Sequence, residues 1–301
     1  MGATRYNCGM GIKAFGRAVT EAGKSWNEAS SSRLAAALAF YAMLSMAPLL
    51  LIAISIAGLI FGEAAARNEM AIRLEEHLGA APAQVLQQAI ASAADVGNNI
   101  WAITIGVGIL ILTATRMFAE LQSDLNMIWG VKSRGGVLSI ARKRLLSFLM
   151  ILIVAALLMA LIFLSAGLSA VHAYAQDYLP GSPVLWRIAD AIISLVVITL
   201  LFMAIYKWLP DVMICWHDLW FGSLTTAVLF TIGKFLIGMY LGRSSPGSAY
   251  GAAGSLVVLL LWVYYSAMIF LYGAHFTRAY ATHRGAQIRP NKNAVWIEGR
   301  E

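Results

Sequence analysis

Charge is scarce in this sequence. Asp, Glu, Lys and Arg make up 12% of its 301 residues, and 60% of the residues are hydrophobic. Soluble domains carry about 25% charged residues, and a water-soluble chain this apolar could not cover its own surface. Cysteine is scarce too. Cys8 and Cys215 stand far apart, which excludes a disulfide framework and gives no metal-like spacing. No nucleotide-binding P-loop occurs, so any pumping would draw on a gradient or a partner. No linker or low-complexity tract sets off a separate soluble domain. No cleavable signal peptide is evident, because the first apolar run begins near Leu34, behind a basic leader, and is too long for a signal h-region. Tyr6 stands where N-myristoylation of Gly2 would need Ser or Thr.

Long apolar runs are what the chain does have. About 20 helical residues span a bilayer core. Six stretches qualify: Leu34 to Phe61, Ile100 to Phe118, Leu145 to Val171, Ile188 to Leu209, Leu219 to Leu241 and Ala253 to Tyr280. They are continuous rather than alternating, which predicts helices and not barrel strands. The expected fold is all-α: a transmembrane domain of six helices over residues 34–280, between a cytoplasmic segment 1–33 and a cytoplasmic tail 281–301.

The net charge of +7 belongs to loops of a membrane protein rather than to a nucleic-acid patch. Residues 1–33 carry Arg5, Lys13, Arg17, Lys24 and Arg33 against two acids, whereas residues 62–98 carry Arg67 and Arg73 against five. Lys132, Arg134, Arg142, Lys143 and Arg144 make the next connection basic, and the tail adds Arg278, Arg284, Arg289, Lys292 and Arg300. The loop from His172 to Trp186 has no Lys or Arg. The positive-inside rule then puts both termini, and both cysteines, on the cytoplasmic side.

Two further segments read as amphipathic helices. An external insert at about 62–98 repeats Met70, Leu74 and Leu78, then Val85, Leu86, Ala89 and Ile90, at helical spacing, with Pro82 in a first turn. A cytoplasmic elbow at about 119–144 continues the stripe Phe118, Leu121, Leu125 and Ile128. It is expected to bend onto the membrane interface and to end at Gly135-Gly136. The tail residues Ile297-Glu298-Gly299-Arg300 read equally well as native sequence or as a protease-site scar and carry no functional weight.

The first span contains Ala36-Ala37-Leu38-Ala39-Phe40-Tyr41-Ala42-Met43-Leu44-Ser45-Met46-Ala47-Pro48-Leu49-Leu50. Later come Tyr206-Lys207-Trp208-Leu209-Pro210, Gly238-Met239-Tyr240-Leu241, Tyr250-Gly251-Ala252-Ala253-Gly254-Ser255, Leu260-Leu261-Trp262-Val263-Tyr264-Tyr265-Ser266 and Gly273-Ala274-His275-Phe276-Thr277. In order and spacing this resembles the YihY/BrkB family of bacterial inner-membrane proteins over nearly the whole chain. The resemblance implies a six-helix membrane protein of poorly established biochemistry. That family is linked to virulence and suspected of transport, and its old label "ribonuclease BN" is widely regarded as mistaken. The family pattern usually reads Gly-Ala-Glu where this chain has Gly273-Ala274-His275, which puts any role of that acid in doubt here.

Candidate polar sites follow from cost. Lys234 lies about 15 residues, or roughly 22 Å, into the fifth span. An intramembrane Lys costs roughly 3 kcal/mol or more, so it either faces a polar cavity or snorkels to the outer headgroups. Thr231 is three residues away and shares its face. Asp190, beside Arg187 at the outer end of the fourth span, is either its counter-ion or part of an interfacial pair. Arg116, Glu120 and Asp124 recur at i, i+4, i+8, as a buried polar track or a local surface ladder. Ser45 one turn before Pro48 marks a kink, bland or lining a site. Gly238 and Gly242 allow close helix packing, whereas the similarly spaced Gly247 and Gly251, around Tyr250, read better as a loop. His172, His217, His275 and His283 are scattered, and no metal, cofactor or catalytic residue is expected.

The expected function is a transporter or exporter of an unidentified, amphipathic or lipid-like substrate. The alternative is a membrane scaffold or envelope-organising protein. A nuclease is disfavoured, because no carboxylate–histidine cluster or compact soluble domain is available. The expected partners are the lipid bilayer and that substrate, with no nucleic acid, and homo-oligomerisation is left open.

Overall fold

The computed structural model describes residues 12–62, scattered positions between 64 and 91, and residues 100–134, 183–244, 254–286, 288–291 and 294–297. The helices there are α1 (Ile12–Glu28), α2 (Ser31–Phe61), α3 (Ile100–Trp129), α4 (Pro183–Trp208), α5 (Trp216–Ser244) and α6 (Gly254–His283). The short strands are β1 (Val131–Ser133), β2 (Val212–Met213), β3 (Arg289–Pro290) and β4 (Ala294–Trp296). A backbone in hydrocarbon must satisfy its own hydrogen bonds, and the apolar runs do so as long helices. Among the described residues, Ala191–Trp208, Trp216–Tyr240 and Leu256–His283 are long and apolar enough to cross a membrane. The first two predicted runs lie in α2 and α3, of 31 and 30 residues. The third, Leu145 to Val171, lies outside the described residues.

The main core joins α2 through α6. Leu34 and Leu38 of α2 meet Phe118, Leu121, Leu125 and Ile128 of α3, with Phe202 and Tyr206 of α4, Leu219 of α5 and Phe270 and Leu271 of α6. The Tyr206 hydroxyl donates to the Phe270 carbonyl at 2.7 Å. This corrects the elbow. The stripe on α3 is buried inside the protein rather than laid on an interface. The helix runs unbroken to Trp129, and it ends at Gly130, whose φ of 75° is left-handed, before reaching Gly135-Gly136. Between α2 and α3, Met70 and Leu86 are buried against Ala39, Leu259, Trp262 and Val263.

The N-terminal segment is not a plain leader. α1 buries Ala18 and Ala22, four residues apart, against Phe276, Ala279 and Tyr280 of α6. Ser30, at φ 51°, turns the chain from α1 into α2.

The all-α expectation misses two antiparallel ribbons. β1 pairs with β4 (Val131 opposite Trp296) and β2 with β3 (Val212 opposite Pro290). The Ile297 amide donates to the Gly130 carbonyl at 2.9 Å, so the tail up to that residue is part of the fold. We call this side of the bundle the ribbon end.

Helices α5 and α6 approach closely through a reciprocal pair of small residues. A Cβ at Gly273 would lie 2.5 Å from Cγ2 and 2.8 Å from Cβ of Thr226, and one at Gly222 would lie 2.7 Å from both carbons of Thr277. Each threonine is held by donating to its own helix, Thr226 to Gly222 O at 2.8 Å and Thr277 to Gly273 O at 2.6 Å. At the expected packing glycine Gly238 an added Cβ meets nothing within 4 Å among the described residues. The side chain of α2 at Pro48 and the Gly242 site are outside the described side chains, but α2 is helical through Pro48, so the proline does not break it.

Candidate functional site

The ionisable residues of α3 converge on the ribbon end. Arg116 is exposed, Glu120 half-buried and Asp124 only 1% exposed. The row therefore runs from surface to interior, and a simple surface ladder is excluded for Asp124. Its Oδ2 has no hydrogen-bond partner among the described residues. Asp124 lies six residues beyond the predicted end of the second span. Burial, and then the charge of Glu120, raise its pKa from 3.8 to about 7. Buried Trp129 Nε1 and Ser223 Oγ are likewise without a partner among the described residues.

Around this carboxyl the helix ends are closed by side chains. Asn126 donates from Nδ2 to Asp211 Oδ2 at 2.9 Å, and the Asp211 amide donates to Asn126 Oδ1 at 2.7 Å. Arg278 of α6 donates to the Ile128 carbonyl, and Lys207 to the Ile214 carbonyl. A cation suits the Ile128 carbonyl at the C-terminal end of α3, whereas Ile214 lies in the connection between β2 and α5. Lys207 also stands 5.7 Å from the ring centre of Trp216.

His275 of α6 is 2% exposed. Ser25 Oγ lies 2.9 Å from its Nδ1 and Ser31 Oγ 2.8 Å from its Nε2. One ring thus joins α6 to the end of α1 and the start of α2. His283 adds a contact at 2.7 Å to Glu21 of α1. Sequence reasoning treated these histidines as scattered. The signal that could have found the first was its place at a departure from an acidic pattern.

The other predicted sites do not gather. Thr231 is exposed and donates to the Ala227 carbonyl at 2.8 Å, whereas Lys234 is half-buried beside it. Ser45 is buried, donating to Ala42 O at 3.0 Å and lying 3.5 Å from the Met117 sulfur, a link between α2 and α3. The side chain of Asp190, and all of Tyr250 and Gly251, lie outside the described residues. No group of three or more His, Cys, Asp or Glu comes together among the described residues.

Sequence reasoning also missed a groove of about 480 Å³ between α4 and α5. Ile192, Val196 and Leu200, at four-residue spacing, form one wall, and Trp216, His217 and Trp220 stand at the ribbon-end mouth. The spacing of the wall was visible but uninformative in a helix apolar all round.

A family model described as "Virulence factor BrkB" matches residues 22–297. The chain belongs to the BrkB family. Relatives of this BrkB-family chain carry the name UPF0761 membrane protein. One from Saccharophagus degradans is 27% identical over 279 residues, 90% of this chain and 61% of the relative. One from Alkalilimnicola ehrlichii is 28% identical, over 85% of this chain and 56% of the relative. One from Pseudomonas paraeruginosa is 33% identical over 177 residues, 56% of this chain and 40% of the relative. The chain thus spans between 40% and 61% of the length of these relatives. No solved structure matches.

Proposed function

We propose that this BrkB-family protein is a six-span inner-membrane transporter or exporter of an amphipathic, lipid-like substrate, with the ribbon end and both termini cytoplasmic. The groove between α4 and α5 carries the reading. Its volume of about 480 Å³ lies in the ligand-pocket range of roughly 300–1,000 Å³. Its wall of Ile192, Val196 and Leu200 suits an apolar tail, and the mouth offers Trp216, Trp220 and His217 at the level of the Lys207 ammonium. Tryptophans and cations at one level are the pattern of a membrane interface. The alternating charge of the connections supports the orientation, and the apolar run Leu145 to Val171 supplies the sixth span. No catalytic step, nucleic acid or cofactor enters the proposal.

Purified protein in proteoliposomes, supplied with a fluorescent lipid in one leaflet, tests it. Substrate movement above that of protein-free vesicles is expected, and Leu200→Trp should reduce it by filling the groove. Movement no faster than in protein-free vesicles across a panel of anionic, zwitterionic and single-chain lipids would overturn transport and favour the scaffold.

A further inference from the structure

We propose that Asp124 is the proton-binding site of the transport cycle, exchanging its proton with water through Glu120 and along the α3 face that leads to Arg116. The inference rests on the transport reading above but uses a different part of the molecule.

The carboxyl is sealed in by protein. Leu121, Leu125 and Ile128 flank it on α3, and Leu34 and Leu38 of α2 belong to the same cluster. The two helices run antiparallel, since the start of α2 meets the end of α3. Ser45 lies against Met117, so Asp124, seven residues on, stands about 10 Å farther toward the ribbon end. An ionised carboxylate there would keep Oδ2 buried without a donor among the described residues, which disfavours the charge. A protonated one needs far less.

The neighbouring charges are otherwise occupied. On α6, Arg278 donates to the Ile128 carbonyl and His275 lies between Ser25 and Ser31. After α4, Asp211 is clasped by Asn126. Arg33 at the start of α2 is exposed. Glu120, one turn away and half-buried, is the acid whose charge bears on the carboxyl. The balance is simple. Asp124 loses H⁺ to the Glu120 carboxylate, which passes it to water at the exposed end of the row. Reloading reverses the path. Separation of α2 from α3 around Leu38 would hydrate Asp124 and favour release, which ties proton exchange to a helix movement.

The full chain in detergent is titrated from pH 5 to 9 while the protonated carboxyl stretch is followed by infrared difference spectroscopy. One carboxyl should titrate near pH 7, vanish in Asp124→Asn and move to lower pH in Glu120→Gln, which removes the like charge. A wild-type spectrum with no such carboxyl, or one unchanged in Asp124→Asn, overturns the site whatever the transport result. In proteoliposomes a proton gradient should accelerate wild-type flux, and Asp124→Asn should abolish that acceleration with a loss of about tenfold, within the usual range of coupling between sites. Flux indifferent to the gradient overturns the coupling. Absence of flux in the wild type, with the carboxyl present, overturns the transport reading instead.

Discussion

The contact between α5 and α6 makes a sharp prediction, because two glycines on the same pair of helices should respond oppositely. At Gly273 an added Cβ falls 2.8 Å from Thr226 Cβ and closer to its γ atoms. Carbon atoms sit comfortably at about 3.5–4.0 Å, so the helices must part by roughly 1 Å. Thr226 cannot swing away without losing its bond to the Gly222 carbonyl at 2.8 Å. Parting also loosens the mirror contact of Gly222 with Thr277. Overpacking of this kind costs roughly 1–3 kcal/mol, partly offset by the gain of up to about 1 kcal/mol when Gly becomes Ala in a helix. Gly273→Ala should therefore lower stability by about 1–2 kcal/mol, or roughly 2–8 °C in melting temperature. Gly238, with nothing within 4 Å of an added Cβ among the described residues, should accept Ala with no loss. Helical circular dichroism during heating in one detergent compares them. Adding Thr226→Ala to Gly273→Ala removes the two nearest atoms and should recover part of the loss. A Gly273→Ala protein that melts at or above both wild type and Gly238→Ala would refute the reciprocal packing.

Asp124 should make stability depend on pH. Its folded pKa of about 7 lies above the unfolded 3.8, so the folded state holds the extra proton and stability falls as pH rises through that window, by up to roughly 4 kcal/mol. Asp124→Asn should flatten the profile and be the more stable form at pH 8; equal profiles between pH 5 and 8 would contradict this. Replacing His275 by Ala leaves buried Ser31 without its ring partner and should cost roughly 1–3 kcal/mol, with protease cleavage appearing in α1 first; unchanged melting and cleavage would show that the ring is dispensable. Reporter fusions after residues 80, 178 and 247 should read outside and those after 135 and 213 inside, and a reversed pattern would invert the orientation. Lys234→Met should insert and accumulate yet lose flux if the amine serves a cavity, whereas full flux would assign Lys234 to snorkelling.

The helices were legible because nothing competes with a helix in a long apolar run. Leu34 to Phe61 lies inside α2, and Ile188 to Leu209 runs one residue past the end of α4. The elbow failed for an identifiable reason. The stripe Phe118, Leu121, Leu125 and Ile128 has the same period whether it faces lipid headgroups or α2 and α6, so sequence could not choose between them. The ribbons were invisible, since strands of two or three residues have no period, and β1 pairs with β4 across more than 160 residues. The close α5–α6 contact was not found because Gly-x-x-x-Gly was sought, and it is made by Gly222-x-x-x-Thr226 against Gly273-x-x-x-Thr277. The row Arg116, Glu120 and Asp124 was found by spacing. Spacing says nothing of depth, and depth makes Asp124 different from the other two.

That difference also bears on what kind of protein this is. A static scaffold gains nothing from a sealed carboxyl without a partner at Oδ2, because an apolar side chain of similar volume removes the desolvation cost and often stabilises. His275 is different. Both of its ring nitrogens meet hydroxyls, and the ring fastens α1 and α2 to α6, so packing alone accounts for it. Lys207 and Arg278 are likewise explained by the carbonyls they close. Asp124 alone among these ribbon-end ionisable groups costs stability without fastening anything described here. A group that weakens the resting fold is retained most readily when another state of the protein uses it. The proposed transport cycle would supply such a state, with α2 and α3 apart and water at the carboxyl.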